Sequence, residues 1–94
     1  MNNLRHSGNA REAASRQVLV IRSIIDDLER TLKILRIDIQ TEEERVRIFD
    51  KAEPTYPILA RMLGARVENL KTTVADLKER LASLTVTEGI AEAA

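Results

Sequence analysis

The sequence has no cysteine, no tryptophan, one tyrosine and one phenylalanine, and only three glycines and two prolines among its 94 residues. Without cysteine there are no disulfides and no thiolate metal ligands. The scarcity of aromatic residues, glycine and proline disfavours a β-sheet, whose strands favour aromatic side chains and whose turns use glycine and proline. The remaining composition is rich in leucine, isoleucine, alanine, glutamate and arginine. It predicts an all-α protein.

The sequence also lacks net charge and a long apolar run. Its 15 basic and 15 acidic side chains cancel, so no overall field attracts nucleic acid, anionic membranes or acidic substrates. The apolar run at 18–21 is too short to span a membrane and too far from Met1 for an ordinary signal-peptide core. We therefore expect a cytoplasmic protein that does not contact membranes.

A repeat of apolar residues at alternating spacings of three and four organises the first half of the chain. This spacing predicts a long helix with a heptad seam, and Glu42 is the single charged residue in it. The first seam consists of Val18, Ile21, Ile25, Leu28, Leu32, Leu35, Ile39, Glu42, Val46 and Phe49.

Local signals set the predicted bounds of a single domain over residues 9–88. Asn9 with Glu12 resembles a capping box, which predicts a first helix over about residues 10–50. Pro54 and Pro57 predict a turn over about 51–56 and a second helix over about 57–86. Residues 1–8 and 89–94 are predicted to be flexible tails.

The second predicted helix carries a second seam with the same spacing. Its residues are Tyr56, Ala60, Leu63, Val67, Leu70, Val74, Leu77, Leu81 and Leu84. A short connection between two long helices makes them antiparallel, and the two seams then pair in one register that places Ile39 opposite Val67. The predicted fold is a long antiparallel, coiled-coil-like helical hairpin.

A second apolar stripe lies beside the first seam on one flank of the hairpin. It comprises Val20, Ile24, Thr31, Ile34, Thr41 and Ile48 from the first helix and Leu59, Met62 and Thr73 from the second. A hairpin with one apolar and one charged flank is an incomplete bundle, so we expect a homodimer that forms a four-helix bundle. Another helical protein could cover the same stripe, or its residues could simply widen the contact within the chain.

The residues that could carry chemistry favour structural roles. Glu42 is expected to set the register of the seam, with its charge neutralised by Arg45 or by Arg66 across the hairpin. The only histidine, His6, falls in a predicted tail without metal-ligand spacing. The sequence contains no glycine-rich phosphate loop, no Ser/His/Asp set and no thiol. We expect no enzyme activity, no cofactor and no metal.

These observations predict a non-catalytic interaction module, such as a small scaffold, an adaptor or a chaperone-like protein. The alternative is a nucleic-acid-associated protein, because the N-terminal part has a local excess of arginines. These are Arg5, Arg11, Arg16 and Arg22, with Glu12 as the opposing charge. The absence of an aromatic stacking residue near these arginines and the overall pI of about 6.6 disfavour nucleic acid as a partner.

Overall fold

The structure, a computed structural model, describes the backbone of residues 2–93 and the side chains of residues 10–86. It contains two helices, α1 (Asn2–Val46) and α2 (Ile58–Ala93), and no strand within residues 2–93. The predicted all-α helical hairpin is therefore confirmed. Two compact units are distinguished: the turn unit, residues 27–74, and the end unit, residues 1–26 and 75–94.

The first helix ends at Val46, four residues before the predicted end near residue 50. Arg47 adopts a left-handed conformation with φ of 63°. The backbone N–H groups of Arg47 and Ile48 both donate to the carbonyl oxygen of Glu43, at 2.8 and 3.3 Å. This is a C-terminal helix cap of the kind that glycine usually provides, so an arginine gave no signal of it in the sequence. Phe49 lies beyond the cap and is 55% exposed, so the first seam ends at Val46.

Both helices extend past their other predicted ends. α1 begins at Asn2 rather than near residue 10, and α2 ends at Ala93 rather than near residue 86. A single glycine costs a helix only about 1 kcal/mol, so Gly8 and Gly89 are weak stop signals. The side chains of residues 1–9 and 87–94 lie outside the described residues, and with them the predicted capping contact of Asn9 and most of the two predicted tails.

The connection between the helices is held by its own hydrogen bonds. The Asp50 carboxylate accepts from the backbone N–H of Ala52 at 2.9 Å, and the Asp50 carbonyl accepts from the N–H of Glu53 at 3.1 Å. A second turn follows, in which the N–H of Tyr56 donates to the carbonyl of Glu53 at 3.0 Å, with Pro54 at the position that favours proline. The predicted proline turn is thus a pair of consecutive tight turns.

Tyr56 anchors this connection to both helices. Its hydroxyl donates to Oε2 of Glu43 in α1 at 2.7 Å. The Arg61 guanidinium of α2 lies 5.3 Å from the centre of the Tyr56 ring, and it donates to the carbonyl of Lys51 at 3.1 Å. These contacts fix the connection to both helices within the turn unit.

The buried residues follow the two seams. Every buried side chain within residues 10–86 occupies a seam position predicted from spacing; these are Val18, Ile21, Ile25, Leu32, Leu35, Tyr56, Ala60, Val67 and Val74. The predicted register agrees with the turn unit, where Ile39 and Val67 border one cavity together with Arg36 and Lys71. The spacing of apolar residues thus identified the core correctly.

Gly64 is an interior residue of α2 with unoccupied space beside it. A Cβ atom placed there would have no neighbour within 4 Å. We expect Gly64→Ala to raise the free energy of unfolding by about 0.5–1 kcal/mol, because alanine restricts the unfolded chain and favours helix. Urea denaturation measures this change. Ala65→Gly, at the exposed neighbouring position, is the matched reversal and should lower the same quantity by a similar amount; equal stability of all three proteins would contradict the expectation.

Tyr56 gives a second prediction, on stability and its pH dependence. Burial, then the hydrogen bond to Glu43 and the charge of its carboxylate, raise the pKa of Tyr56, whereas Arg61 opposes the shift. We expect Tyr56→Phe to lower the free energy of unfolding by about 1 kcal/mol at neutral pH, because a hydrogen bond to a charged acceptor is lost. When folding raises the pKa of a tyrosine, the tyrosine stabilises the protein at any pH below its pKa in the unfolded chain, which is about 10. This contribution is lost as the pH rises through the pKa of the tyrosine in the folded protein.

The measurement is denaturation of wild type and Tyr56→Phe between neutral pH and pH 11. The stability difference should be constant up to about pH 10 and shrink above it. Every other titratable group is present in both proteins, so the difference isolates the tyrosine. A difference that stays constant or grows above pH 10 would show that the hydroxyl is not held in its neutral form by folding.

Candidate functional site

The second apolar stripe is exposed where it crosses the turn unit. Ile34 is 58% exposed, Leu59 53% and Met62 65%. Such values are high for large apolar side chains next to buried seam residues such as Leu35 and Ala60. Thr41 and Thr73 are exposed as well, whereas Thr31 and Ile48 are half-buried.

The threonines of this stripe satisfy their hydroxyl groups within their own helices. Thr31 donates to the carbonyl of Asp27 at 3.0 Å, Thr41 to that of Ile37 at 2.8 Å and Thr73 to that of Asn69 at 3.1 Å. A hydroxyl already bonded to its own helix can be covered by a partner without leaving an unpaired donor. The stripe is thus chemically closer to an apolar surface than its threonines suggest.

The end unit exposes its own part of the stripe. Val20 and Ile24 are both classed as exposed, with the valine more open than the isoleucine. Exposed apolar side chains also occur outside the stripe, at Leu19, Ile37 and Ile58. Because isolated exposed apolar residues are common on monomeric proteins, exposure by itself does not identify an interface.

Glu42 is neutralised within its own helix. The Arg45 Nε atom lies 3.2 Å from both carboxylate oxygens, and the same guanidinium also forms an ion pair with Glu42. The hydrogen bond from Arg45 lowers the pKa of Glu42, opposed by desolvation and assisted by the charge of Arg45. Of the two partners considered from the sequence, the structure therefore shows Arg45 and not Arg66. The register-setting role of Glu42 stays a prediction.

The structure describes the side chains of three of the four arginines proposed as nucleic-acid contacts. Arg5 lies outside the residues with described side chains, and Arg11, Arg16 and Arg22 are exposed. Arg16 borders a groove with Arg80 of α2, a residue that the sequence reasoning did not connect with it. Arg16 and Arg80 are far apart in sequence, and only the packing of α1 against α2 brings them to the same groove.

This groove lies in the end unit and has a volume of about 520 Å³. We call it the arginine groove; its lining residues are Ala13, Arg16, Gln17, Val20, Ile21 and Arg80. Three apolar side chains, one amide and two guanidinium groups line it, and none of these residues is acidic. An apolar surface flanked by two positive charges is complementary to an apolar group that carries negative charge.

The turn unit holds a different cavity, of about 290 Å³, which has charges of both signs. Its charged lining residues are Arg36, Glu43, Lys51, Glu68 and Lys71. The Lys71 ammonium lies 3.4 Å from the Glu68 carboxylate, so part of this charge is already paired. Mixed charge of this kind selects no single class of ligand.

Within the described residues, no group of three or more histidine, cysteine, aspartate or glutamate side chains is placed to hold a metal ion. Neither helix, over the same residues, has the length and apolar character of a membrane span. Comparison of the chain with protein-family models, characterised proteins and solved structures gives no match.

Proposed function

We propose that this protein is a non-catalytic helical interaction module that self-associates through the second apolar stripe. The observation that carries the proposal is the exposure of Ile34, Leu59 and Met62 in the turn unit, next to buried seam residues such as Leu35 and Ala60. Two helices bury one face of each other, and the apolar side chains left outside favour association with further helices.

A second copy is the occupant that this composition favours. A chain of 94 residues buries a smaller fraction of its surface on folding than a larger domain does, so association adds core that the monomer lacks. The equal numbers of acidic and basic side chains leave no net repulsion between two copies. In a dimer with a two-fold axis, the same stripe of both chains forms the interface, so no further copy can be added. The two hairpins together form a four-helix bundle.

Sedimentation over a hundredfold range of concentration tests the proposal. The expected result is a species of twice the 10.6 kDa chain mass that dissociates only on dilution. A folded protein that stays at 10.6 kDa throughout would overturn self-association and leave the stripe to a different protein. Circular dichroism on the same samples establishes that the chain is helical under these conditions.

A further inference from the structure

The arginine groove carries two positive charges that no described side chain neutralises. Within residues 10–86, neither the Arg16 nor the Arg80 guanidinium has a hydrogen-bond or ion-pair partner. Arg16 comes from α1 and Arg80 from α2, and the apolar surface includes Val20, which is 56% exposed. The groove therefore favours an apolar side chain accompanied by a carboxylate.

The turn unit presents this combination on α1. Ile34 is exposed, and Asp38 lies one helical turn further along the same face. Asp38 is exposed and has no ion-pair partner among the described side chains. One apolar side chain and one uncompensated carboxylate thus stand four residues apart on a single surface.

We propose that these two surfaces meet between copies of the chain. Ile34 of a second copy packs into the arginine groove of the first, and Asp38 of that second copy faces Arg16 and Arg80. The inference rests on the proposed self-association and specifies which surfaces meet. A two-fold axis forms the contact twice, because in a symmetric dimer each copy offers one groove and inserts one Ile34.

The charges determine the alignment in this arrangement, whereas the apolar side chains supply most of the attraction. Apolar contact is proportional to buried area and tolerates sliding along a helix. A carboxylate opposite two guanidinium groups fixes one alignment, because displacement leaves all three charges unpaired in a partly covered surface. An unrelated acidic amphipathic helix could also bind in this groove, and a monomeric wild type that binds an acidic helical peptide would indicate this alternative.

Charge reversal tests the pairing. The first variant carries Arg16→Glu and Arg80→Glu, and the second carries Asp38→Arg. Each variant alone places like charges at both contacts of its homodimer. We expect the dimer dissociation constant of each variant to rise roughly thirtyfold, because each of the two symmetric contacts loses about 1 kcal/mol of binding free energy. All three positions are exposed, so the helix content seen by circular dichroism should match wild type.

Mixing the two variants is the decisive step. In a mixed dimer, the two glutamates of the first variant face the arginine that the Asp38→Arg change introduces into the second. At the other contact, the unaltered Arg16 and Arg80 of the second variant face Asp38 of the first. Both contacts again join opposite charges. The mixture should therefore form a heterodimer with an affinity within about threefold of wild type, and added NaCl should weaken it.

Arg22→Glu and Asp26→Arg serve as matched controls, since they reverse exposed charges on α1 outside the groove and the Ile34–Asp38 surface. Both should dimerise like wild type. If wild type dimerises and the test variants do so equally well, or if mixing restores nothing, this pairing is wrong while self-association stands. A wild type that is monomeric throughout overturns both proposals, and binding of an acidic helical peptide would then identify a different occupant.

Discussion

Leu35→Asp is expected to unfold the protein. Leu35 is 6% exposed and belongs to the first seam. The substitution removes a buried apolar side chain and places a carboxylate at a buried position, which together cost about 4 kcal/mol or more. A domain of this size has a total stability on the order of 5–15 kcal/mol. The expected result is a large loss of helical circular dichroism at 25 °C, or a denaturation midpoint at much lower urea concentration.

The adjacent residue provides the control. Ile34→Asp introduces the same carboxylate one position away, at a side chain that is 58% exposed. Its effect on the unfolding free energy of the monomer should stay within about 0.5 kcal/mol, because the charge remains in water. Measurement at low protein concentration keeps association from contributing. Similar destabilisation by both changes would show that the seam and the stripe have been divided wrongly.

Ile34→Arg is expected to abolish self-association while leaving the helices intact. The substitution removes an apolar contact from both halves of a two-fold interface. It also adds a positive charge that, in the arrangement inferred above, faces Arg16 and Arg80. The combined loss of about 4 kcal/mol corresponds to a dissociation constant roughly a thousandfold higher. Sedimentation at concentrations where wild type is dimeric should then show the monomer mass.

Ile37→Arg is the matched control for this second prediction. Ile37 is as exposed as Ile34, at 59%, and lies on the same helix outside the second apolar stripe. Arginine at this position should leave the dimer dissociation constant within about threefold of wild type. If Ile37→Arg disrupts association as strongly as Ile34→Arg, the interface includes a different face of α1 and the assignment of the stripe fails.

The sequence predicted the core because the core depends on periodicity. Residues such as Ile25 and Val67 recur at spacings of three and four, and a helix places residues at these spacings on one side. Burial follows from that geometry without knowledge of the exact contacts. The same reasoning identified the second stripe, whose large apolar members Val20, Ile24, Ile34, Leu59 and Met62 are exposed beside the seam, although Thr31 and Ile48 are half-buried.

The helix ends were predicted less well because capping depends on local backbone geometry. α1 ends at a left-handed arginine, Arg47, although proline and glycine were the signals available in the sequence. The sequence also left open which arginine pairs with Glu42, since Arg45 and Arg66 both carry the required charge. The structure selects Arg45, because a residue one turn away on the same helix needs no tertiary alignment to reach the carboxylate.

The sequence by itself determined that this protein is all-α, where its two seams lie and which side chains are left outside them. These properties follow from the spacing of residues along single helices. Only the tertiary structure decided that Arg16 and Arg80 border one groove and that Tyr56 joins the connection to Glu43. The physical reason is that such contacts depend on how two helices and a turn pack in space, and pairs of residues 64 and 13 positions apart carry no periodic signal of their proximity.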